Sequence, residues 1–303
     1  MKGALQCFAP AKINLFLHIL GRNPNGMHRL QTIFQLLDFG DQLIFEKLDT
    51  PLIELIAPNC HFPNEENLAF RAARLLQETY QVKQGVRIHL DKKIPTGAGL
   101  GGGSSDAGAV LRSLNQLWDL QLPLEALITH GKSLGADVPI FVLNQNAWAE
   151  GIGEILSPIS LPKQHYLIIK PQCQINTGQM FSHPELPRNT PPLTYEALGL
   201  HLPEAEQADC AAEDLRCKAK AATKTPKNLD QLYSLTHNDC ETLARCLYPE
   251  VAEALDWLNQ FGPARLTGTG SCLFLPTASK ERAEQLAKLA KKHWEVIVCE
   301  SLI

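Results

Sequence analysis

The chain has 303 residues, nine of them cysteine, and a formal net charge of −4. That length can bury a large core and predicts two domains, while the weak negative charge excludes a general nucleic-acid or membrane-binding surface. The cysteines form no Cys-x-x-Cys pair, and there is no His-Glu-x-x-His, so reduced buried thiols are expected rather than disulfides or a zinc site.

Ala11 to Leu20 and Asp41 to Glu46 read as strands, with a loop from Gly21 to Gly26 after the first. The apolar run Ile13 to Leu20 contains Asn14 and His18. It is too short to span a bilayer and no cleavage site follows it, so a cytosolic protein is expected. Asn67 to Tyr80 is an amphipathic helix, and Val86 to Leu90 a further strand. Five glycines then fall within seven positions, from Gly97 to Gly103, and Ala107 to Trp118 follows with helical spacing. Leu124 to Leu134 is another helix, stopped by Gly135. A second unit starts near His165 with the strand Tyr166 to Lys170. It continues with a helix (Val251 to Phe261), a hairpin-like pair around Gly268-Thr269-Gly270, a helix (Lys280 to His293) and a strand (Trp294 to Val298). This βαββαβ order predicts a ferredoxin-like layer of helices on one antiparallel sheet. Between them, His201 to Asn228 is poor in large apolar residues and reads as a mobile insertion.

Glycine loses the most backbone freedom on folding, so a glycine-rich run is tolerated where backbone must approach a ligand. Here it delivers the chain into a helix N-terminus, whose N–H groups and dipole favour an anion. The run therefore reads as a phosphate cradle, with a flexible surface turn as the alternative. It also satisfies Gly97-x-Gly99-x-x-Gly102, a dinucleotide fingerprint. That fingerprint should follow a strand directly, with an acidic residue roughly 20 positions on; neither holds. Gly103-Ser104-Ser105-Asp106-Ala107 comes within one residue of a nucleophile elbow. A nucleoside triphosphate fits the run better than either alternative.

Lys12 and Asn14 lie on the same side of an otherwise apolar strand. Lysine is seldom fully buried without a partner, and taken alone Lys12 reads as a charge at a strand edge. Asp137 sits in the apolar run Leu134 to Phe141, where a carboxylate is costly to bury unless paired; taken alone it reads as a helix cap or turn former.

Six segments together carry a resemblance: Pro10 to Leu15, Gly26-Met27-His28, Pro95 to Ala107, Gly135 to Pro139, Pro184 to Thr190, and Leu266 to Ser271. In this order they resemble the kinases of the GHMP superfamily, and within it the branch acting on 4-diphosphocytidyl-2-C-methyl-D-erythritol. The resemblance covers most of the chain. It implies an α+β fold of two domains: a ribosomal-protein-S5-domain-2-like N-terminal domain (residues 1–160) and a ferredoxin-like C-terminal domain (residues 161–303) carrying the 201–228 insertion. It implies ATP-dependent phosphorylation of the substrate's 2-hydroxyl, in the non-mevalonate route to isoprenoid precursors. ATP is then the co-substrate with Mg²⁺ and no protein metal site. The substrate is a small cytidine diphosphate sugar-alcohol, with neither nucleic acid nor membrane as partner, and the enzyme a monomer or weak homodimer.

The same resemblance assigns roles. Pro95, Thr96, Gly97, Ala98, Gly99, Leu100, Gly101, Gly102, Gly103, Ser104 and Ser105 would bind ATP. Asp137 corresponds to the catalytic base and Lys12 to the catalytic lysine. Asn14, His28, Thr177 and Phe181 would contact substrate, with His28 and Phe181 at the cytidine end; a core aromatic is the alternative for Phe181. Gly268, Thr269 and Gly270 match a glycine turn facing the nucleotide loop, with a simple hairpin turn as the alternative. Many members carry tyrosine where this chain has Met27, so cytidine recognition leans on Phe181 and His28; methionine offers only a softer, polarisable contact.

Overall fold

The computed structural model describes residues 4–58, 60, 63–200 and 229–302. The insertion expected at 201–228 lies outside the described residues. The chain forms two units, and they are not consecutive halves. One comprises residues 1–11, 38–96 and 101–144, the other residues 12–37, 97–100 and 145–303. Two long strands, β1 (Leu5–Arg22) and β2 (His28–Leu48), therefore belong partly to each.

In the first unit the second half of β2 pairs antiparallel with β4 (Gly85–Asp91), in register Leu43 with Leu90 and Phe45 with Ile88. β3 (Ile53–Ile56) pairs parallel with β4. Helices α1 (Leu68–Thr79), α2 (Gly102–Leu117), α3 (Leu124–Leu134) and α4 (Val138–Leu143) accompany this sheet. Ala69, Ala72, Ala73 and Leu76 of α1 share a core with Ala107, Val110, Leu111 and Leu114 of α2. Small residues on both faces let the helices approach closely. Asn67 caps α1, its Oδ1 accepting from the Ala69 N–H at 2.9 Å.

Beneath α2 sits a group of buried charges. Lys92 Nζ donates to Asp41 Oδ2 at 2.5 Å and to Asp106 Oδ2 at 2.8 Å. Asp41 also accepts from the Lys93 and Ile94 N–H groups, at 2.5 and 2.7 Å. One ammonium thus serves two carboxylates. Burial pushes the Asp106 carboxyl up to about 8, against the opposing pull of Lys92.

In the second unit the first half of β2 pairs with β5 (Ala147–Glu150), and β5 with β6 (Ile155–Pro158). A separate four-stranded sheet has the order β10-β7-β9-β8, from β7 (His165–Lys170), β8 (Arg265–Leu266), β9 (Leu273–Thr277) and β10 (Glu295–Glu300), with every pairing antiparallel. Helices α5 (Thr177–Ser182), α6 (Asp230–Leu235), α7 (Glu241–Leu247), α8 (Pro249–Leu258) and α9 (Lys280–Ala290) belong to this unit. With α8 and α9 as the two crossovers, the chain follows the βαββαβ order read from the sequence. Leu167, Ile169, Leu255, Leu258, Leu273 and Leu286 lie in its core. No described helix is long and apolar enough to cross a membrane.

A second polar knot holds this unit. Asp239 accepts from the Ile19 N–H at 2.6 Å and from Thr190 Oγ1 at 2.8 Å, and it lies 2.8 Å from His237 Nε2. The His18 ring packs on His237, and its Nδ1 is buried without a hydrogen-bond partner among the described residues. Burial, then the neighbouring His237, lowers its pKa to about 4.

Both knots have measurable consequences. Lys92→Met strands the buried Asp41 carboxylate, so urea unfolding near neutral pH should show a loss of about 3–5 kcal/mol. Asp106→Asn leaves the Asp41 pair intact and should change stability by less than about 1 kcal/mol; equal losses in the two variants would refute this division of labour. For His18 the folded pKa lies below the unfolded value of about 6.5. The unfolded chain therefore binds a proton that the folded chain refuses, and stability falls as pH drops from about 6.5 towards 4. The expected loss by pH 4 is roughly 2–3 kcal/mol, and His18→Gln should flatten that limb of the stability curve.

Candidate active site

The glycine run lies between β4 and α2, and nine residues, Lys92 to Leu100, separate the strand from the residue that begins the helix turn. That gap is incompatible with a dinucleotide fingerprint, whose strand runs directly into its glycines. Helix α2 starts five residues earlier than its apolar spacing indicates, with Gly101 in the left-handed region (φ 74°) at the N-cap. Ser105 and Asp106 are therefore inside the helix, where apolar periodicity could not reveal them. The first intrahelical bond runs from the Ser105 N–H to the Gly101 carbonyl at 2.8 Å.

The loop's carbonyls are occupied. Ala98 O accepts from the Cys272 N–H at 3.1 Å, Gly99 O from Thr267 Oγ1 at 3.4 Å, and Leu100 O from the Lys12 N–H at 3.0 Å. The N–H groups of residues 99–104 donate to no partner among the described residues. Acceptors are tied down and donors are left over, which is the polarity an anion requires. Gly99 is demanded by contact as well as by conformation (φ 76°): a Cβ there would lie 2.3 Å from the Thr267 carbonyl oxygen. Pro95 is half-buried, and Thr96 and Gly97 are exposed. Ser104 is half-buried, whereas Ser105 is buried and its Oγ donates to Pro10 O at 2.6 Å.

Lys12, far from being an edge charge, is 3% exposed. Its Nζ donates to Asn14 Oδ1 at 2.6 Å and lies 5.4 Å from the Phe34 ring centre. Asn14 is fixed on every side: its N–H donates to Thr267 Oγ1 at 3.0 Å and its Nδ2 to Thr32 Oγ1 at 2.9 Å. Thr32 Oγ1 in turn donates to Phe16 O at 2.5 Å. Thr267 and Thr32 thereby position Asn14. Thr267 lies within the segment Leu266 to Ser271, which carries no sign of this role; Thr32 lies in a part of β2 with no strand signal.

Gly268 and Gly270 turn the chain between β8 and β9, both with positive φ (58° and 95°). A Cβ on Gly268 would come within 3.5 Å of Lys12 Nζ and of Asn14 Oδ1. The turn thus borders the lysine–asparagine pair, more than a bare hairpin needs. Thr269 Oγ1 is 3.0 Å from Thr177 Oγ1 at the start of α5.

His28 and Phe181 form a stacked pair with ring centres 5.1 Å apart. Both are half-buried, while Met27 is 44% exposed. Burial, then Arg188 and Arg22, lowers the His28 pKa. Arg188 Nε donates to His28 Nε2 at 3.0 Å, a contact not anticipated from the sequence. In the first unit, Asp137 directly precedes α4 and is half-buried. It occupies the N-cap position of α4, without a side-chain cap hydrogen bond.

Known proteins place this arrangement. Residues 67–145 match the GHMP kinases N terminal domain, and residues 211–296 match the GHMP kinases C terminal family. A 4-diphosphocytidyl-2-C-methyl-D-erythritol kinase of Chromohalobacter salexigens is 45% identical over 286 residues, covering 94% of this chain and 87% of the relative. A crystal structure of 4-(cytidine 5′-diphospho)-2C-methyl-D-erythritol kinase superposes with a TM-score of 0.77 at 30% identity, covering 98% of this chain and 99% of that one. The Methanococcus jannaschii mevalonate kinase structure shares the fold at a TM-score of 0.68 and 15% identity, covering 100% of this chain and 99% of that one. The chain belongs to the 4-diphosphocytidyl-2-C-methyl-D-erythritol kinase family of the GHMP kinases.

Proposed function

We propose that the chain transfers the γ-phosphoryl group of ATP to the 2-hydroxyl of 4-diphosphocytidyl-2-C-methyl-D-erythritol, a step in the non-mevalonate route to isoprenoid precursors. The observation that carries the reaction class is the polarity of the glycine loop. Its carbonyls bond to the protein and its N–H groups from Gly99 to Ser104 do not. The 45% identity to a kinase of that name carries the substrate.

Phosphoryl transfer asks a protein mainly for positioning and charge stabilisation. In this reading residues 95–105 hold the triphosphate. The Ser105 N–H is spent inside α2, so the anion contacts fall to the N–H groups before it. Among the described residues no group of three His, Cys, Asp or Glu side chains could hold a metal ion. Mg²⁺ prefers phosphate and hydroxyl oxygens, and the half-buried Ser104 hydroxyl fits it, whereas the buried Ser105 hydroxyl is spent on Pro10 O. When bound it neutralises charge on the phosphate oxygens.

Asp137 accepts the proton of the attacking hydroxyl as general base. The Lys12 ammonium stabilises the alkoxide that develops there. Asn14 hydrogen-bonds substrate and holds Lys12 at one place by the 2.6 Å contact. Thr177 contacts substrate beside Thr269. The cytosine packs at the His28–Phe181 pair. The seven described cysteines are all free thiols, which fits a cytosolic enzyme, acting as a monomer or weak homodimer.

Asp137→Asn should lower turnover by roughly 10²–10⁴-fold while leaving ATP binding intact. The assay follows ADP release and singly phosphorylated product together, and near-normal turnover would remove Asp137 from the chemistry. Lys12→Met keeps the buried stem and deletes the charge, so turnover should fall roughly 10²–10³-fold in a protein that still melts cooperatively. An unfolded variant would make Lys12 a structural residue instead.

A further inference from the structure

Among the described residues, one side chain hydrogen-bonds the His28 ring, and its chemistry is particular. A guanidinium has five N–H donors and no acceptor, so the 3.0 Å contact between Arg188 Nε and His28 Nε2 has one polarity only. Arg188 donates, and His28 Nε2 accepts through its lone pair. In a neutral imidazole the other nitrogen then carries the proton. The remaining four donors of Arg188 are equally committed. Nη1 donates to Leu186 O at 2.9 Å and Pro184 O at 3.5 Å; Nη2 donates to Phe181 O at 2.9 Å and His183 O at 2.7 Å.

One side chain therefore binds the carbonyl of Phe181 and the ring of His28, the two members of the stacked pair. No other charged side chain makes a recorded hydrogen bond to the His28 ring among the described residues. We propose that Arg188 is a positioning residue for cytidine recognition: it locks His28 in the tautomer protonated at Nδ1, which donates a hydrogen bond to an acceptor on the cytosine. This rests on the placement of the cytidine end at His28 and Phe181. A lysine in place of Arg188 has neither the planar fork nor five donors, and it cannot fix ring and loop together.

The first measurement needs no variant. Nitrogen-15 spectra of the histidine-labelled free enzyme should show His28 Nε2 unprotonated and Nδ1 protonated near neutral pH. The reverse assignment, or a rapidly exchanging mixture, would overturn the proposal. In Arg188→Lys the locked signature should give way to a mixture of tautomers. The KM for the cytidine substrate should then rise by about tenfold, the worth of one good hydrogen bond, with the KM for ATP unchanged and kcat within about twofold. A raised KM with the tautomer unaltered would reduce Arg188 to a loop brace and overturn the lock. Titration with cytidine 5′-diphosphate separates this proposal from the reading beneath it. Locked His28 signals that shift with the nucleotide support both; locked signals that ignore it support the lock and remove cytidine from this place.

Discussion

The site depends on where the peptide groups of residues 98–100 point. A buried carbonyl without a partner costs about 1–3 kcal/mol, so each loop carbonyl had to find a donor. Cys272 and Thr267 supply those donors from the β8–β9 turn, and Lys12 from β1. A peptide plane whose oxygen is held inward turns its N–H the other way, and three held oxygens leave a row of outward donors. The same contacts explain the glycines. The Thr267 carbonyl lies where a Gly99 side chain would begin, so close packing and anion binding make one demand on the sequence.

Lys12 and Asn14 stand on a strand buried on both faces, from Ala9 to Ile19. Polar groups in such a place are unfavourable unless every one is hydrogen-bonded. Thr267 and Thr32 meet that condition for Asn14, and Asn14 meets part of it for Lys12. His18, further along the same face, is satisfied only in part and stays neutral instead. The strand thus solves one problem in two ways: a bonded cluster where a charge is wanted, and a lowered basicity where it is not.

These differences mark what was legible in the sequence. Helix α3 was readable to the residue, because Pro123 and Gly135 bound it and its apolar positions recur with helical period. The βαββαβ order was readable for similar local reasons. The first half of β2 was not. Gln31, Thr32 and Gln35 are buried there through partners elsewhere in the chain, so no alternation of apolar and polar residues announces the strand. The start of α2 was hidden because glycines and serines carry no apolar period. Asp106 lies inside the helix, bound to Lys92 fourteen residues earlier. Partners distant in sequence leave no periodic trace, which is why the contacts of Thr32, Thr267 and Arg188 emerged only from the fold.

Met27 sharpens the consequence for the substrate. Nearly half of its surface is open, and it brings a polarisable sulfur rather than an aromatic ring. Aromatic stacking is directional, whereas a thioether contact adapts to whatever lies beside it. In the proposed function, orientation of the base would come from the other side, with Phe181 offering a ring face and His28 a hydrogen bond of defined direction. That direction is only as definite as the proton on the imidazole, and the proton is only as definite as the donor opposite it. With a thioether at position 27, the proposal places a larger share of base selection on the guanidinium beside His28.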